Sequence, residues 1–174
     1  MPDGIDFIAS TKTTGTVASI VFNTSGLSGY DKFIIKLSAR SASASTTQPF
    51  FIELNSANPD GVVLYTGSNV TDNTIGDDYY WMPAAQAGAQ AFGDGEIEIL
   101  DPFSTDTIKI VLARGFGGTT QNGATYLWMA GADTTGTGRI DEIKFTASGD
   151  IAINTRISLY GIISASGIGS VTTA

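Results

Sequence analysis

The chain lacks two residue types on which many protein functions depend. None of its 174 residues is cysteine or histidine. Without cysteine there is no disulfide and no thiol nucleophile, and without histidine there is no Ser-His-Asp triad. The usual zinc ligands are missing as well. These absences exclude the commonest hydrolytic and zinc-dependent chemistries and leave carboxylates as the only plausible catalytic groups.

Positive charge and long apolar runs are also scarce. The chain has 9 basic and 17 acidic residues, so its formal charge is -8. An excess of negative charge disfavours binding to nucleic acid or anionic lipid, and no apolar run reaches membrane-spanning length. The first residues lack the basic and apolar regions of an export signal. We expect a soluble protein that binds neither nucleic acid nor membrane.

The length and composition suit one globular domain, since 42% of 174 residues are hydrophobic. We predict an N-terminal arm at 1–16, a β-sandwich domain at 17–163 and a C-terminal tail at 164–174. The segment 155–163 has the alternation of a strand, with Ile157 and Leu159 on one face. We expect this segment to be the last core strand and to lie centrally in its sheet.

Alternation of apolar and polar residues recurs along the chain and predicts strands with one buried face. The predicted inward residues are Phe33, Ile35, Leu37, Ala39, Phe50, Ile52, Leu54, Ile97, Ile99, Ile143 and Phe145. About nine or ten short strands, no convincing helix and frequent turn signals indicate an all-β antiparallel sandwich. A jelly roll is the version we expect, because its two sheets limit exposed edges.

Two finer expectations concern strand pairing and strand faces. The Asn-Pro-Asp-Gly turn at 58–61 predicts that 62–65 pairs with 50–54 as a hairpin. The segment 107–114 alternates so that Ile108, Ile110 and Leu112 share one face, while Lys109, Val111 and Ala113 share the other.

Val111 is thereby assigned to an outer face that also carries Ile34, Tyr160 and Ile162. That face is not cleanly polar. Either loops cover it or it forms a self-association surface.

Several degenerate segments follow one another in a fixed order. They are Ile8-Ala9-Ser10, Val17-Ala18-Ser19-Ile20-Val21-Phe22, Gly29-Tyr30-Asp31-Lys32-Phe33, Leu37-Ser38-Ala39-Arg40-Ser41, Phe51-Ile52-Glu53-Leu54-Asn55 with Tyr65, Gly95-Glu96-Ile97-Glu98-Ile99 with Asp101, and Thr155-Arg156-Ile157-Ser158-Leu159-Tyr160-Gly161-Ile162. Together they span most of the chain, and their order resembles that of a group of small virion proteins of tailed bacteriophages.

The resemblance implies a non-enzymatic structural protein of the virion, made in the host cytoplasm. The first hypothesis is a capsid decoration or cement protein that binds the major capsid protein on the outer surface and stabilises the shell. The resemblance also implies a homotrimer. The second hypothesis is a tail-fibre or head-fibre module that binds a host surface glycan. No cofactor is implied.

Three acidic residues keep the spacing of the jelly-roll glucanase signature Glu-x-Asp-x-x-Glu. They are Glu96, Glu98 and Asp101, but the residue types at the second and third places are exchanged. A glycosidase is therefore a third hypothesis, and a solvated outer face is the favoured reading of these residues.

A polar loop contains Asp72, Asn73, Asp77 and Asp78, whose oxygens suit calcium. Its spacing is not that of an EF-hand, and turns rich in Asp and Asn explain it equally well. We expect no metal site there.

Aromatic residues cluster at Tyr79, Tyr80 and Trp81 in a short segment that we predict to be an edge strand ended by Pro83. Tyr126 and Trp128 lie elsewhere in the sequence. These rings could form a platform for a glycan or a partner. The favoured interpretation is that they belong to the core or to a subunit interface, since alternation turns about half of them inward.

Overall fold

The structure is a computed structural model that describes residues 4–44, 47–57, 60–67, 79–83, 92–118, 125–133 and 137–163. None of these residues is helical. They form eleven strands: β1 Gly4–Lys12, β2 Val17–Asn23, β3 Lys32–Ala39, β4 Thr47–Leu54, β5 Asp60–Gly67, β6 Tyr79–Pro83, β7 Gly93–Leu100, β8 Ile110–Gly118, β9 Thr125–Asp133, β10 Glu142–Ile151 and β11 Arg156–Ile163.

The strands form two antiparallel sheets. The larger has the order β1-β11-β3-β7-β8-β9-β5, and the smaller has the order β2-β10-β4-β6. Apolar side chains from the inner faces of both sheets belong to one hydrophobic cluster. The predicted all-β antiparallel sandwich is confirmed.

The connections between the sheets have the order of a jelly roll. Without β5, β8 and β9, each sheet keeps four strands, β1-β11-β3-β7 in one and β2-β10-β4-β6 in the other. Successive strands of this set cross from sheet to sheet except at β4 and β6, which is the double Greek key arrangement. The three remaining strands extend the larger sheet beyond β7.

The core occupies the positions that the alternation predicts. In β3, Phe33, Ile35 and Ala39 are fully buried, and the remaining predicted inward residues of β3, β4, β7 and β10 are buried too. Phe50 and Phe145 stack with ring centroids 5.7 Å apart. Burial of each large apolar side chain contributes about 1.5–3 kcal/mol, so these positions fix which face of each strand points inward.

The strand β11 is an interior strand between β1 and β3, and its Ile157 and Leu159 are fully buried. It lies second from the edge of its sheet and not centrally, because β7, β8, β9 and β5 all extend the sheet on the other side of β3. Within the predicted arm 1–16, residues 4–12 form β1, which pairs with β11 from Gly4 to Lys12. The predicted tail 164–174 lies outside the described residues.

The predicted hairpin between 50–54 and 62–65 is wrong. The two edges of β4 are taken by β10 and β6. A strand has only two edges, so β5 finds no free ladder beside β4. It crosses to the other sheet and pairs with β9 at the far edge.

The predicted faces of the segment 107–114 are inverted. Val111 and Ala113 are buried, whereas Ile110 and Leu112 are exposed. The register explains this, because Val111 lies opposite the buried Ile99 and directly opposite residues share a face. Val111 therefore belongs to the core, not to the outer face to which its alternation assigned it.

Candidate functional site

The outer face of the larger sheet is ordered by the register of β1, β11, β3, β7 and β8. Residues directly opposite one another form rows that run across the strands. One row is Phe7, Tyr160, Ile34, Glu98 and Leu112, and the adjacent row begins Ile5, Ile162, Lys32 and Leu100. Continuing the same register places Ile110 next to Leu100 in the second row.

Eight of these ten positions are apolar, and we call the two rows the apolar half of the outer face. Ile5 is 69% exposed and Phe7 is 63% exposed. At the opposite end, Ile110 is 48% and Leu112 is 45% exposed. The ring of Phe7 packs edge-on against that of Tyr160, with centroids 5.7 Å apart. A continuous apolar area on a sheet surface is typical of a contact surface.

Nine of the ten positions in the next two rows along the strands are polar. One row is Ser10, Ser158, Lys36, Glu96 and Arg114, and the other is Lys12, Arg156, Ser38, Asp94 and the single apolar member, Phe116. Ser10 and Ser158 share a hydrogen bond of 2.8 Å between their hydroxyls. The outer face is thus divided along the strand direction into an apolar half and a polar half.

Ion pairs neutralise both glutamates of this face. Lys36 and Arg114 both contact Glu96, with 3.0 Å between Lys36 Nζ and Glu96 Oε2. Lys32 Nζ lies 2.7 Å from Glu98 Oε2. The hydrogen bond from Lys36, and then that from Arg114, lowers the pKa of Glu96 below its ordinary value.

The three glucanase-spaced carboxylates do not form a common acid and base arrangement. Glu96 and Glu98 share the outer face, as the alternation predicts, while Asp101 lies in the turn after β7 and accepts a hydrogen bond of 3.1 Å from Thr107. A general acid needs a raised pKa, whereas the pKa of Glu96 is lowered. This geometry favours a structural role for the ion pairs.

The aromatic segment forms part of β6, the edge strand of the smaller sheet, and the strand ends at Pro83 as predicted. Tyr80 lies opposite Phe50, which belongs to the core, and Tyr79 lies opposite Phe51, on the outer face. Trp81 lies opposite Pro49, two positions along from Tyr79. The backbone register thus gives Tyr79 and Trp81 the same face and Tyr80 the other.

The polar loop residues Asp72, Asn73, Asp77 and Asp78, at which no metal site was expected, lie outside the described residues, as does Asn58 in the predicted turn. Among the residues that the structure describes, no group of three or more acidic side chains could hold a metal ion. The same part of the chain contains no helix long and apolar enough to span a membrane.

Sequence reasoning missed the role of Lys109. Its side chain is fully buried, and its ammonium donates hydrogen bonds to the backbone oxygens of Ser104, at 2.7 Å, and Thr107, at 2.6 Å. A third bond of 3.2 Å reaches the oxygen of Thr137. The only signal in the sequence is that Lys109 is in phase with Val111 and Ala113, which a polar residue normally contradicts.

Comparison of the chain with protein-family models, curated proteins and solved structures gave no match in any of the three.

Proposed function

We propose that the protein is a non-enzymatic structural component of a tailed-phage virion, most specifically a capsid decoration or cement protein. It binds the major capsid protein at the outer capsid surface and bridges neighbouring capsomers. The proposal begins from the resemblance of its ordered segments to small phage virion proteins. A jelly-roll sandwich suits the role, since viral capsid domains are among the proteins that use this architecture.

The observation that carries the proposal is the apolar half of the outer face. Eight apolar side chains lie in two adjacent rows, and four of them, Ile5, Phe7, Ile110 and Leu112, are exposed. In an antiparallel sheet with one face in solvent, the residues on that face are usually polar. Burial of such a surface against protein is favourable by about 25 cal/mol per Å², which suits a protein that acts by adding contact area.

The ion pairs support the non-enzymatic part of the proposal. Glu96 and Glu98 are held by Lys36, Arg114 and Lys32, and Glu96, whose pKa is lowered, is a poor proton donor at neutral pH. These pairs join neighbouring strands and act as cross-strand stabilisers of the sheet.

The proposed setting is the virion, after synthesis in the host cytoplasm. The partners are the major capsid protein and further copies of the chain, and a homotrimer is the stoichiometry that the resemblance implies. Neither nucleic acid nor membrane is a partner, since the net charge of -8 opposes contact with either polyanion.

Co-sedimentation with capsids that lack the protein tests the proposal. Purified protein is added at increasing concentration, and the copies bound per capsid are counted at saturation. A decoration protein saturates at many copies, in a number set by capsid symmetry. Absence of binding, or saturation at only a few copies per particle, would contradict the proposal.

The second candidate function is a tail-fibre or head-fibre module that binds a host surface glycan. The observation that favours it is the edge strand β6, where the register gives Tyr79 and Trp81 the same face. Aromatic rings in such an arrangement stack on sugars through their apolar faces. Replacing Tyr79 and Trp81 by alanine abolishes binding in a glycan screen under this function and leaves capsid binding nearly intact under the first.

A further inference from the structure

We propose that the apolar half of the outer face is covered by a second copy of this chain, packed face to face about a two-fold axis. This contact is a two-fold pair, not the homotrimer that the resemblance implies. It uses the same face as the proposed contact with the capsid, so the two contacts are alternatives for any one copy. It follows from the edge strand, the pattern of the rows, the charges and the area.

The edge strand β1 is protected against joining the edge of another sheet. Its register with β11 shifts between Phe7 and Ala9, which is a β-bulge. Asp6 lies opposite Gly161, and its exposed carboxylate accepts a 3.3 Å hydrogen bond from the Tyr30 hydroxyl. Bulges and charged residues on an edge strand are devices that prevent edge-to-edge pairing. Because edge pairing of β1 is disfavoured, two copies are expected to associate through the face of the sheet.

The two rows of the apolar half are complementary to each other under a two-fold rotation. An axis that lies in the contact plane, parallel to the rows and midway between them, places each row over the other. Ile5 of one copy then meets Phe7 of the other, and Ile110 meets Leu112. Apolar side chains meet apolar side chains at both ends, as an isologous interface requires.

The central charges are complementary under the same rotation. Lys32 and Glu98 are the only charged residues in the two rows, and they form an ion pair of 2.7 Å. The rotation brings Lys32 of one copy beside Glu98 of the other, so that four charges alternate in sign. This matters because two copies with a charge of -8 repel each other. Contact through the apolar half brings together the part of the face where the charges already cancel.

The size of the apolar half predicts a weak dimer. Five strands about 4.8 Å apart and two rows about 7 Å apart cover roughly 330 Å² on each copy, or roughly 700 Å² in total. Stable specific interfaces bury about 1,200 Å² or more. The pair therefore dissociates on dilution and forms where copies are concentrated.

Sedimentation velocity of the purified full chain tests this, over concentrations from about 1 µM to about 1 mM. We expect a reversible monomer–dimer equilibrium. Leu112→Glu introduces an acidic side chain next to Glu98 and should weaken dimerisation at least about tenfold. Val21→Glu is the matched control, because Val21 is 49% exposed on the smaller sheet, and its dimerisation should equal that of the wild type.

A charge-reversal pair identifies the two-fold contact itself. Lys32→Glu and Glu98→Lys each place like charges together in a homodimer, so each variant alone should dimerise less than the wild type. A mixture of the two variants should form heterodimers, because one copy then carries acidic side chains at both positions and the other carries basic side chains at both. Circular dichroism confirms that each variant is folded.

Three results would overturn the inference. The first is a monomer over the whole concentration range. The second is a dimer or trimer that Leu112→Glu leaves unchanged. The third is the absence of heterodimers in the mixture of charge-reversal variants. Absence of capsid binding at concentrations where the chain is monomeric would instead count against the proposed function alone.

Discussion

The ring of Tyr30 occupies the space directly above Gly161. A Cβ atom at Gly161 would lie 2.4 Å from Cδ1 of Tyr30, far closer than the roughly 3.5–4.0 Å at which carbon atoms pack. The residue after Tyr30 is tied to the same strand, since the amide of Asp31 donates a hydrogen bond of 2.8 Å to the oxygen of Ile162. Glycine at 161 thus allows the segment before β3 to cross the end of β11.

Gly161→Ala should destabilise the protein by about 1–3 kcal/mol, because the added methyl group must displace the Tyr30 ring. Urea unfolding measures the loss. Gly4→Ala is the matched control in the partner strand β1, where an added Cβ meets nothing within 4 Å. In a Tyr30→Ala background the cost of Gly161→Ala should largely disappear. An equal cost in both backgrounds would contradict the steric explanation.

Lys109→Met should cost about 2–4 kcal/mol in unfolding free energy. Methionine keeps the length of the apolar stem but removes the ammonium, so the backbone oxygens of Ser104, Thr107 and Thr137 lose a shared donor. Lys12→Met, at an exposed position of β1, should change stability by less than about 0.5 kcal/mol. Similar losses for the two variants would show that the buried ammonium is not the cause.

Glu96→Gln should reduce stability at neutral pH by at most about 1 kcal/mol, because its partners Lys36 and Arg114 are largely exposed and solvent screens the pairs. The folded state lowers the pKa of Glu96 below 4.5. Its contribution is therefore complete above that value and is lost as the pH falls through the lowered value.

The difference in unfolding free energy between wild type and Glu96→Gln should accordingly shrink on acidification. Chemical unfolding at several pH values measures it. High salt should reduce the difference at neutral pH. A difference that grows in acid would contradict the assignment of the ion pairs. Glu142→Gln serves as the control, since Glu142 forms no ion pair with the described residues.

Val111→Thr should cost about 1–2 kcal/mol, because it places a hydroxyl in the core at nearly unchanged volume. Ile110→Thr, on the exposed face of the same strand, should stay within about 0.5 kcal/mol of the wild type. The same unfolding measurement compares them. A larger loss of unfolding free energy for Ile110→Thr than for Val111→Thr would contradict the observed faces and support those predicted from the alternation of 107–114.

The strands that could be predicted from the sequence are those whose large apolar residues lie mostly on one face. In β3, Phe33, Ile35 and Leu37 alternate with lysine and serine except at Ile34. In β7, Ile97 and Ile99 alternate with glutamates. Such strands have one strongly preferred face. The antiparallel sandwich was predicted from this pattern together with the turn signals, whereas β11 is an interior strand but not a central one.

The wrong predictions arise where pairing over long distances decides. At the start of β8, Ile110 and Leu112 are larger than Ala113 and more apolar than the preceding Lys109, so hydrophobicity alone selects the wrong face. The register with β7 and the hydrogen bonds of Lys109 decide it instead. The predicted hairpin failed for the same reason, since local turn chemistry does not reveal that β10 and β6 occupy both edges of β4.

The candidate site was predictable only in part. Three residues of the apolar half, Ile34, Tyr160 and Ile162, were predicted to lie on an outer face that is not cleanly polar. The register confirms that they share this face. Leu112 and Ile110 were not predicted to lie on this face, because the inward and outward faces of β8 were assigned the wrong way round. The division into apolar and polar halves depends on the alignment of five strands, which periodicity within single strands does not contain.

Calorimetry of capsids tests the central claim most directly. Capsids that lack the protein are heated with and without a saturating amount of it, and the temperature of shell disruption is compared. A decoration protein binds the intact shell and not its separated subunits, so the transition should move to higher temperature in proportion to occupancy. An unchanged transition at full occupancy, or no bound protein, would contradict a role in stabilising the shell.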